Sequence, residues 1–200
     1  MVVHKSQEIF DYLYNHIDGK AISNTARAKR SSWYMGHTYG EVTYHGFLRM
    51  LAMMKPNKGD VFYDLGSGTG KAVILAALLV PFSKIVGIEI LKELYDTSCT
   101  VFSFYRQLTS QNNTTHPFVS FMHGDFKKAD ISDANIIFMN ATCMHYEFEI
   151  PFIRKLEQLK KGTKIITNTI TIPTEKYSIH KIGLVPFTWG EEEVFIHEKR

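Results

Sequence analysis

Asp64, Gly66, Gly68 and Gly70, at every second position, are the residues of this chain best suited to chemistry. A carboxylate followed by three glycines offers a charge and then bare backbone. Glycine tolerates positive φ and lets a ligand lie against the main chain. The apolar run led by Val61 and Phe62, ending at Asp64, predicts a buried strand. Lys71 to Leu79, rich in Ala, Ile and Leu, predicts a helix directly behind the glycines. Strand, glycine turn and helix are how an open α/β sheet builds a nucleotide site at the carboxyl end of its first strand. The helix start adds free N–H groups and positive dipole character, suited to a carboxylate or a phosphate.

Spacing narrows the ligand. A dinucleotide fingerprint needs G-x-G-x-x-G, and this chain has G-x-G-x-G. A P-loop read back from Gly70-Lys71 would place Leu65 at its first glycine and Ala72 at its hydroxyl, so it fails by position. The remaining pattern, D-x-G-x-G-x-G, is similar to that of class I S-adenosylmethionine (SAM) methyltransferases. Lys84 to Glu89 reads as a second strand ending in an acid, 25 residues after Asp64. That is near the spacing at which an acid meets ribose hydroxyls.

The elements that must carry these residues follow from pattern. Two hundred residues suit one domain with a sizeable core, and 44% apolar with 22% charged content is ordinary for a globular chain. A net charge of +3 is a weak pointer to acidic partners. Cys99 and Cys143 make no disulfide or metal framework, which favours a reducing compartment. The nine histidines are scattered, and His145 with Glu147 and Glu149 gives no ligand spacing, so no metal is expected. Neither a membrane-span-length apolar run nor a signal peptide is evident, so the expected location is intracellular, cytoplasmic or nuclear.

In chain order, Ser6 to Ile17 has helical apolar spacing, with Asp18-Gly19 as its expected stop. Lys20 to Ser32 is polar and reads as a basic linker, with Lys20 to Arg30 able to contact an acidic partner. Trp33 to Thr43 is aromatic and glycine-punctuated, and is expected to be a lid that excludes water from the site. A helix with Phe47, Leu48, Leu51 and Met54 follows, closed by Pro56 to Gly59. Beyond Glu89 the pattern predicts a helix over 91–107, a loop at 111–115, and a third strand, Phe118 to Met122, that ends in His123-Gly124-Asp125-Phe126. An acid and an aromatic there could take an adenine's amino group and its flat face. Asn135 to Asn140 reads as a fourth strand ending across the crevice from the glycines. A helix behind Pro151, a fifth strand over Lys164 to Ile170, and a hairpin around Gly190 and three glutamates complete the chain. The expected organisation is a helical segment with a lid over 1–55 and a SAM-binding core over 56–200.

In their order, Tyr39-Gly40-Glu41, Asp64 to Gly70, Gly87-Ile88-Glu89, Gly124-Asp125-Phe126, Ile137 to Asn140 and Trp189-Gly190 resemble one family. It is the disruptor-of-telomeric-silencing type (Dot-type) of histone lysine methyltransferase, which lacks a SET domain. The resemblance covers roughly 30–200. It implies a Rossmann-like α/β sandwich with a mostly parallel seven-stranded sheet, a C-terminal antiparallel hairpin and a short helical N-terminal extension. It implies SAM as cofactor and a protein substrate with an acceptor lysine, in a histone or nucleosome. Carried over residue by residue, it gives Glu41 and its lid neighbours to the methionine end of SAM. Asp64, Gly66, Gly68 and Gly70 form the loop around the amino-acid moiety. Glu89 goes to the ribose, and Asp125 with Phe126 to the adenine. Asn140 would stand at the mouth of the lysine channel, with Tyr39 beside the reacting groups.

Two departures stand out. The family's N-N-F-A-F segment reads Asn140-Ala141-Thr142-Cys143-Met144-His145 here, so the aromatic wall of the lysine channel is largely missing. Phe195 stands about where the family has a channel tyrosine, while Trp189 matches its hairpin tryptophan. The competing readings are methylation of RNA or a small molecule, and a silent SAM-binding scaffold. Base or glutamine amine methylation usually goes with [DN]-P-P-[YF], which Asn140 to Cys143 lacks; Cys143 without a neighbouring proline also fits a cytosine nucleophile poorly.

Methyl transfer is an in-line displacement, so such an enzyme mainly aligns the nucleophile and excludes water. A lysine amine must first lose its proton, which costs roughly 4.6 kcal/mol at pH 7 from a pKa of about 10.4. A dry channel beside a sulfonium cation lowers that pKa by desolvation and like-charge repulsion. No dedicated base is then obligatory, and Asn140 can orient the amine.

Overall fold

The computed structural model describes residues 2–29, 39–110, 117–141 and 150–200. Seven strands form one sheet: β1 (Val61–Leu65), β2 (Lys84–Glu89), β3 (Phe118–His123), β4 (Ile136–Met139), β5 (Lys164–Asn168), β6 (Tyr177–Phe187) and β7 (Gly190–Lys199). Their order is β3-β2-β1-β4-β5-β7-β6. The first five strands pair in parallel, whereas β7 runs antiparallel to both β5 and β6. The expected Rossmann-like sandwich with a closing hairpin is what the chain forms. Strand order reverses at β1, with β2 on one side and β4 on the other, so the crevice opens at the carboxyl ends of β1 and β4.

Alternation along the central strands builds two cores. Phe62, Ile136 and Phe138 face one cluster, while Tyr63, Leu65, Ile137 and Met139 face the other. Helices α1 (Val2–Tyr14), α3 (Tyr44–Met54) and α4 (Lys71–Leu79) pack in the first cluster through Phe10, Leu13, Phe47, Met50 and Ile74. Val101 and Tyr105 of α5 (Lys92–Thr109) join them. Helix α6 (Ile150–Glu157) closes the second cluster with Phe152 and Leu156.

Two expectations are corrected near the N-terminus. Asp18-Gly19 is a helix start, because the Asp18 carboxylate accepts from Ala21 N at 2.9 Å and caps α2 (Gly19–Ala28). The stretch read as a basic linker is therefore helical. Its buried face is Gly19, Ser23, Ala26 and Arg27, small or polar residues that an apolar period does not register. Arg27 is buried and turned inward, with its guanidinium donating to Ser23 O and to Asn24 Oδ1. Lys20 and Lys29 are exposed, and Arg30 lies outside the described residues.

The C-terminal hairpin differs in detail. Its turn is Thr188-Trp189, and the three glutamates lie within β7. Ladder pairing with β5 ends at Asn168–Val194, and beyond it Glu193 O still accepts from Thr169 N, so Glu191 and Glu192 pair with β6 alone and keep one open side. That open side makes charged residues tolerable there. Among the described residues, no helix is long and apolar enough to cross a membrane.

Candidate active site

The glycine turn is held from β2. Gly66 N and Ser67 N both donate to Ile88 O, at 2.9 and 3.0 Å. Gly66, Gly68 and Gly70 have φ values of 85°, 55° and 87°, a run that residues with a Cβ rarely adopt. Glu89, at the end of β2, accepts from Gly68 N and from Leu91 N, each at 2.8 Å. Its carboxylate thus braces the turn, a role that motif spacing did not reveal. Burial pushes Glu89 above the usual carboxylate range, and these backbone donors pull it partly back.

Asp64 is 2% exposed, yet no hydrogen-bond donor or cation among the described residues meets its carboxylate. Burial, then the charge of Glu89, raises its pKa well above the ordinary value. The Ser67 hydroxyl oxygen is likewise buried without a partner among the described residues. Both residues line one pocket with Tyr39, Gly40, Glu41, Gly66, Gly68, Lys71 and Asn140. A polar ligand in this pocket would give both groups a partner. An ammonium group would answer the acid.

The arm before α3 closes over this pocket. The Tyr39 hydroxyl donates to Glu41 Oε1 at 2.7 Å and accepts from Thr69 N at 3.1 Å. Thr69 Oγ1 also donates to Glu41 Oε1. Lys71 Nζ pairs with Glu41 Oε2 at 2.7 Å and sits over the Tyr14 ring, 5.3 Å from its centroid. Burial and Glu41 raise the Tyr39 pKa well above its ordinary value, so this hydroxyl keeps its proton. About 30 Å³ is left in the pocket, room for a water but far short of a nucleotide-sized ligand.

Hairpin and arm are joined. Val42 bridges Phe187, Thr188 N donates to Glu41 O at 3.0 Å, and Thr43 Oγ1 donates to Pro186 O at 2.9 Å. The Trp189 ring fills the space that a side chain on Gly40 would need. Residues 33–38 of the expected lid lie outside the described residues, as do Thr142, Cys143 and Met144. The described part of the arm, Tyr39 to Thr43, is tied down at both ends.

Asn140 follows β4, and its side-chain amide donates to Gly40 O at 2.7 Å. Next to it, Ala141 N donates to the buried Asn168 Oδ1 at 2.6 Å, so β5 fixes the backbone on which Asn140 stands. Asp125 and Phe126 do not line the pocket, and neither does Glu89. They lie beside it along the ends of β2 and β3, where Gly124 N donates to Glu89 O at 2.9 Å. Asp125 accepts from its own Lys127 N at 2.9 Å, and the Phe126 ring packs on Phe152 at 5.3 Å. Sequence reasoning missed Lys71, Tyr14, Thr69 and Asn168. Lys71 was visible beside Gly70 and was weighed only as a P-loop lysine; Thr69 stood inside the glycine motif as a variable position, and Tyr14 and Asn168 carried no motif.

Comparison with solved structures agrees with this architecture. The RNA methyltransferase from Salinibacter ruber in complex with S-adenosyl-L-homocysteine superimposes with a TM-score of 0.58 at 25% identity, over 77% of this chain and 90% of that one. Among relatives, the H3 lysine-79 specific histone-lysine N-methyltransferase of Dictyostelium discoideum is 30% identical over 84% of this chain. A protein-lysine N-methyltransferase of Saccharolobus islandicus (strain REY15A) is 30% identical over 62% of this chain and 71% of its own length. The chain spans 9% of the Dictyostelium protein and 16% of the corresponding Caenorhabditis elegans protein. Residues 21–184 match the family described as histone methylation protein DOT1, a span that takes in the arm, the glycine turn, β4 and most of β6. By that match, this chain belongs to the DOT1 family of histone methylation proteins.

Proposed function

We propose that this protein is a SAM-dependent methyltransferase acting on a lysine amine of a protein substrate. The observation that carries the reading is Asp64, a buried carboxylate without a donor among the described residues, lining the same pocket as Asn140. When bound, SAM supplies a methyl group activated on a sulfonium. Asp64 would take its ammonium and Ser67 a further polar contact, with Gly66, Gly68 and Gly70 letting the ligand lie against the main chain. Glu41 would serve the methionine end once released from Lys71. Glu89 would face the ribose, and Asp125 and Phe126 would meet the adenine. Asn140 would orient the acceptor amine at the crevice mouth, with the protonated Tyr39 hydroxyl as a nearby donor. Water exclusion by the arm and the hairpin lowers the cost of holding that amine neutral.

The relatives are named for transfer to histone H3 lysine-79 and to protein lysine, which supports a protein substrate, histone or nucleosome among the candidates, inside the cell. The exposed Lys20 on α2 and Lys29 at its C-cap would be the points of contact with an acidic partner. The 25% identity to an RNA methyltransferase favours RNA as the second reading.

Both readings meet in one assay. The protein is incubated with methyl-labelled SAM and, separately, histone octamer, nucleosomes, total soluble protein and RNA. Label on protein lysines supports the proposal. Label confined to RNA overturns it in favour of the second reading, and SAM binding without transfer to any pool would mark a scaffold.

A further inference from the structure

The hairpin carries a ring of contacts that the cofactor pocket does not require. Trp189 Nε1 donates to Glu192 Oε1 at 2.9 Å. Thr169 Oγ1 donates to the other oxygen, Glu192 Oε2, at 3.1 Å. Thr169 has φ 68°, an unfavourable value for a β-branched residue, and Ile170 N donates to Asn168 O at 2.7 Å to close a three-residue turn around it. Thr169 N also donates to Glu193 O at 2.8 Å, which locks this turn against β7. Asn168 in turn holds Ala141, next to Asn140, whose amide returns to Gly40 O beneath the Trp189 ring. The circuit therefore joins the arm, the end of β4, the end of β5 and the hairpin around the crevice mouth.

Glu192 is the member that links indole to turn. Both its oxygens accept from neutral donors, and no lysine or arginine among the described residues pairs with it. Its neighbour Glu193 differs, being paired with Lys181. Strain kept at Thr169 while its hydroxyl is spent on Glu192 is the pattern of a residue held for geometry rather than for stability. We propose that Glu192 is a positioning residue for methyl transfer: it holds the Trp189 indole over Gly40 and thereby sets the entrance through which a cationic acceptor approaches Asn140. The proposal rests on the lysine methyltransferase reading for its kinetic part. Its carboxylate also leaves a negative charge at that entrance, matched to an ammonium.

The test compares wild type, Glu192→Ala and Glu192→Gln. Glutamine keeps an oxygen for the Trp189 N–H and removes the charge; alanine removes both. Trp33 and Trp189 are the two tryptophans, so acrylamide quenching is read in a Trp33→Phe background. Glu192→Ala should raise the quenching constant of Trp189 about twofold or more, with Glu192→Gln near wild type. With histone octamer and labelled SAM in the Trp33-containing proteins, KM for octamer should rise about tenfold in Glu192→Ala and less in Glu192→Gln, with S-adenosylhomocysteine affinity within about threefold throughout. Wild-type quenching or wild-type KM in Glu192→Ala overturns the proposal. A wild-type protein that binds S-adenosylhomocysteine but labels no protein would instead strike the function reading, and quenching would still decide whether Glu192 holds the indole.

Discussion

Asn140 donates its side-chain amide to the backbone oxygen of Gly40, 2.7 Å away, and so ties the end of β4 to the arm that covers the cofactor pocket. One hydrogen bond thus links the residue proposed to face the acceptor with the segment proposed to seal the cofactor. The pairing explains why Tyr39-Gly40-Glu41 and Asn140, 100 residues apart, belong to one site. Asn140 is half-buried and touches the arm, whereas Asp64 within β1 and Ser67 in the turn after it are buried.

Replacing Asn140 by alanine should therefore act on transfer more than on cofactor binding. Turnover is expected to fall about 100-fold or more, with S-adenosylhomocysteine affinity within about threefold of wild type. Calorimetry and single-turnover assays check the two halves separately. Full turnover in Asn140→Ala would remove its acceptor role; a matching loss of affinity would make it a cofactor residue.

Asp64 should trade stability for binding. Its pKa is raised by burial and by Glu89, so ionisation costs folding energy as pH rises through the unfolded carboxylate value and up to the folded one. Asp64→Asn removes that cost while keeping the shape. At pH 7 the variant should be more stable than wild type by about 1 kcal/mol or more and bind S-adenosylhomocysteine at least about tenfold more weakly. Denaturant unfolding over pH 4–8 and calorimetry are the measurements. A variant less stable than wild type at pH 7 would show that the carboxylate is satisfied in a way the present contacts do not include.

Much of this site was legible because its residues sit in consecutive, periodic segments. Asp64, the three glycines and Glu89 follow from a strand–turn–helix pattern and a strand that ends in an acid. Helix α2 was not legible: its inward face is Gly19, Ser23, Ala26 and Arg27, and small or polar residues leave no apolar period. Nor could spacing show that Glu89 spends its oxygens on Gly68 N and Leu91 N, since both partners are backbone groups. Lys71 escaped for another reason. Its partner Glu41 lies 30 residues away, across a turn that brings the two together only in the folded chain.

The Lys71–Glu41 pair is shielded, with side chains 14% and 11% exposed, so removing one partner should cost more than a surface pair does. Lys71→Met should destabilise by about 2 kcal/mol, because Glu41 is left without its cation. Combining it with Glu41→Gln should recover a large part of that loss. A double-mutant cycle by denaturant unfolding gives the coupling directly. Additive single effects would mean that the two side chains are already separated by solvent.

His197 makes the protein acid-sensitive in a defined window. It is fully buried in β7, with Nε2 3.0 Å from Thr167 Oγ1 and Nδ1 without a partner among the described residues. Thr167 donates its own hydrogen to Ile170 O, so it accepts from His197 Nε2–H and leaves Nδ1 as the bare nitrogen. Burial lowers the pKa of His197 from 6.5 to about 4. The unfolded chain therefore binds the proton first as pH falls through about 6.5, and stability declines until the folded form protonates near pH 4. About 2.5 units correspond to roughly 3 kcal/mol lost over that interval, with little change from this group above pH 7. Denaturant unfolding of wild type and His197→Gln at pH 4.5, 5.5, 6.5 and 7.5 isolates the effect. The wild-type curve should fall more steeply below pH 6.5 than that of the variant, whatever the variant's own stability. Parallel curves would show that His197 takes up its proton in the folded chain as readily as in the unfolded one.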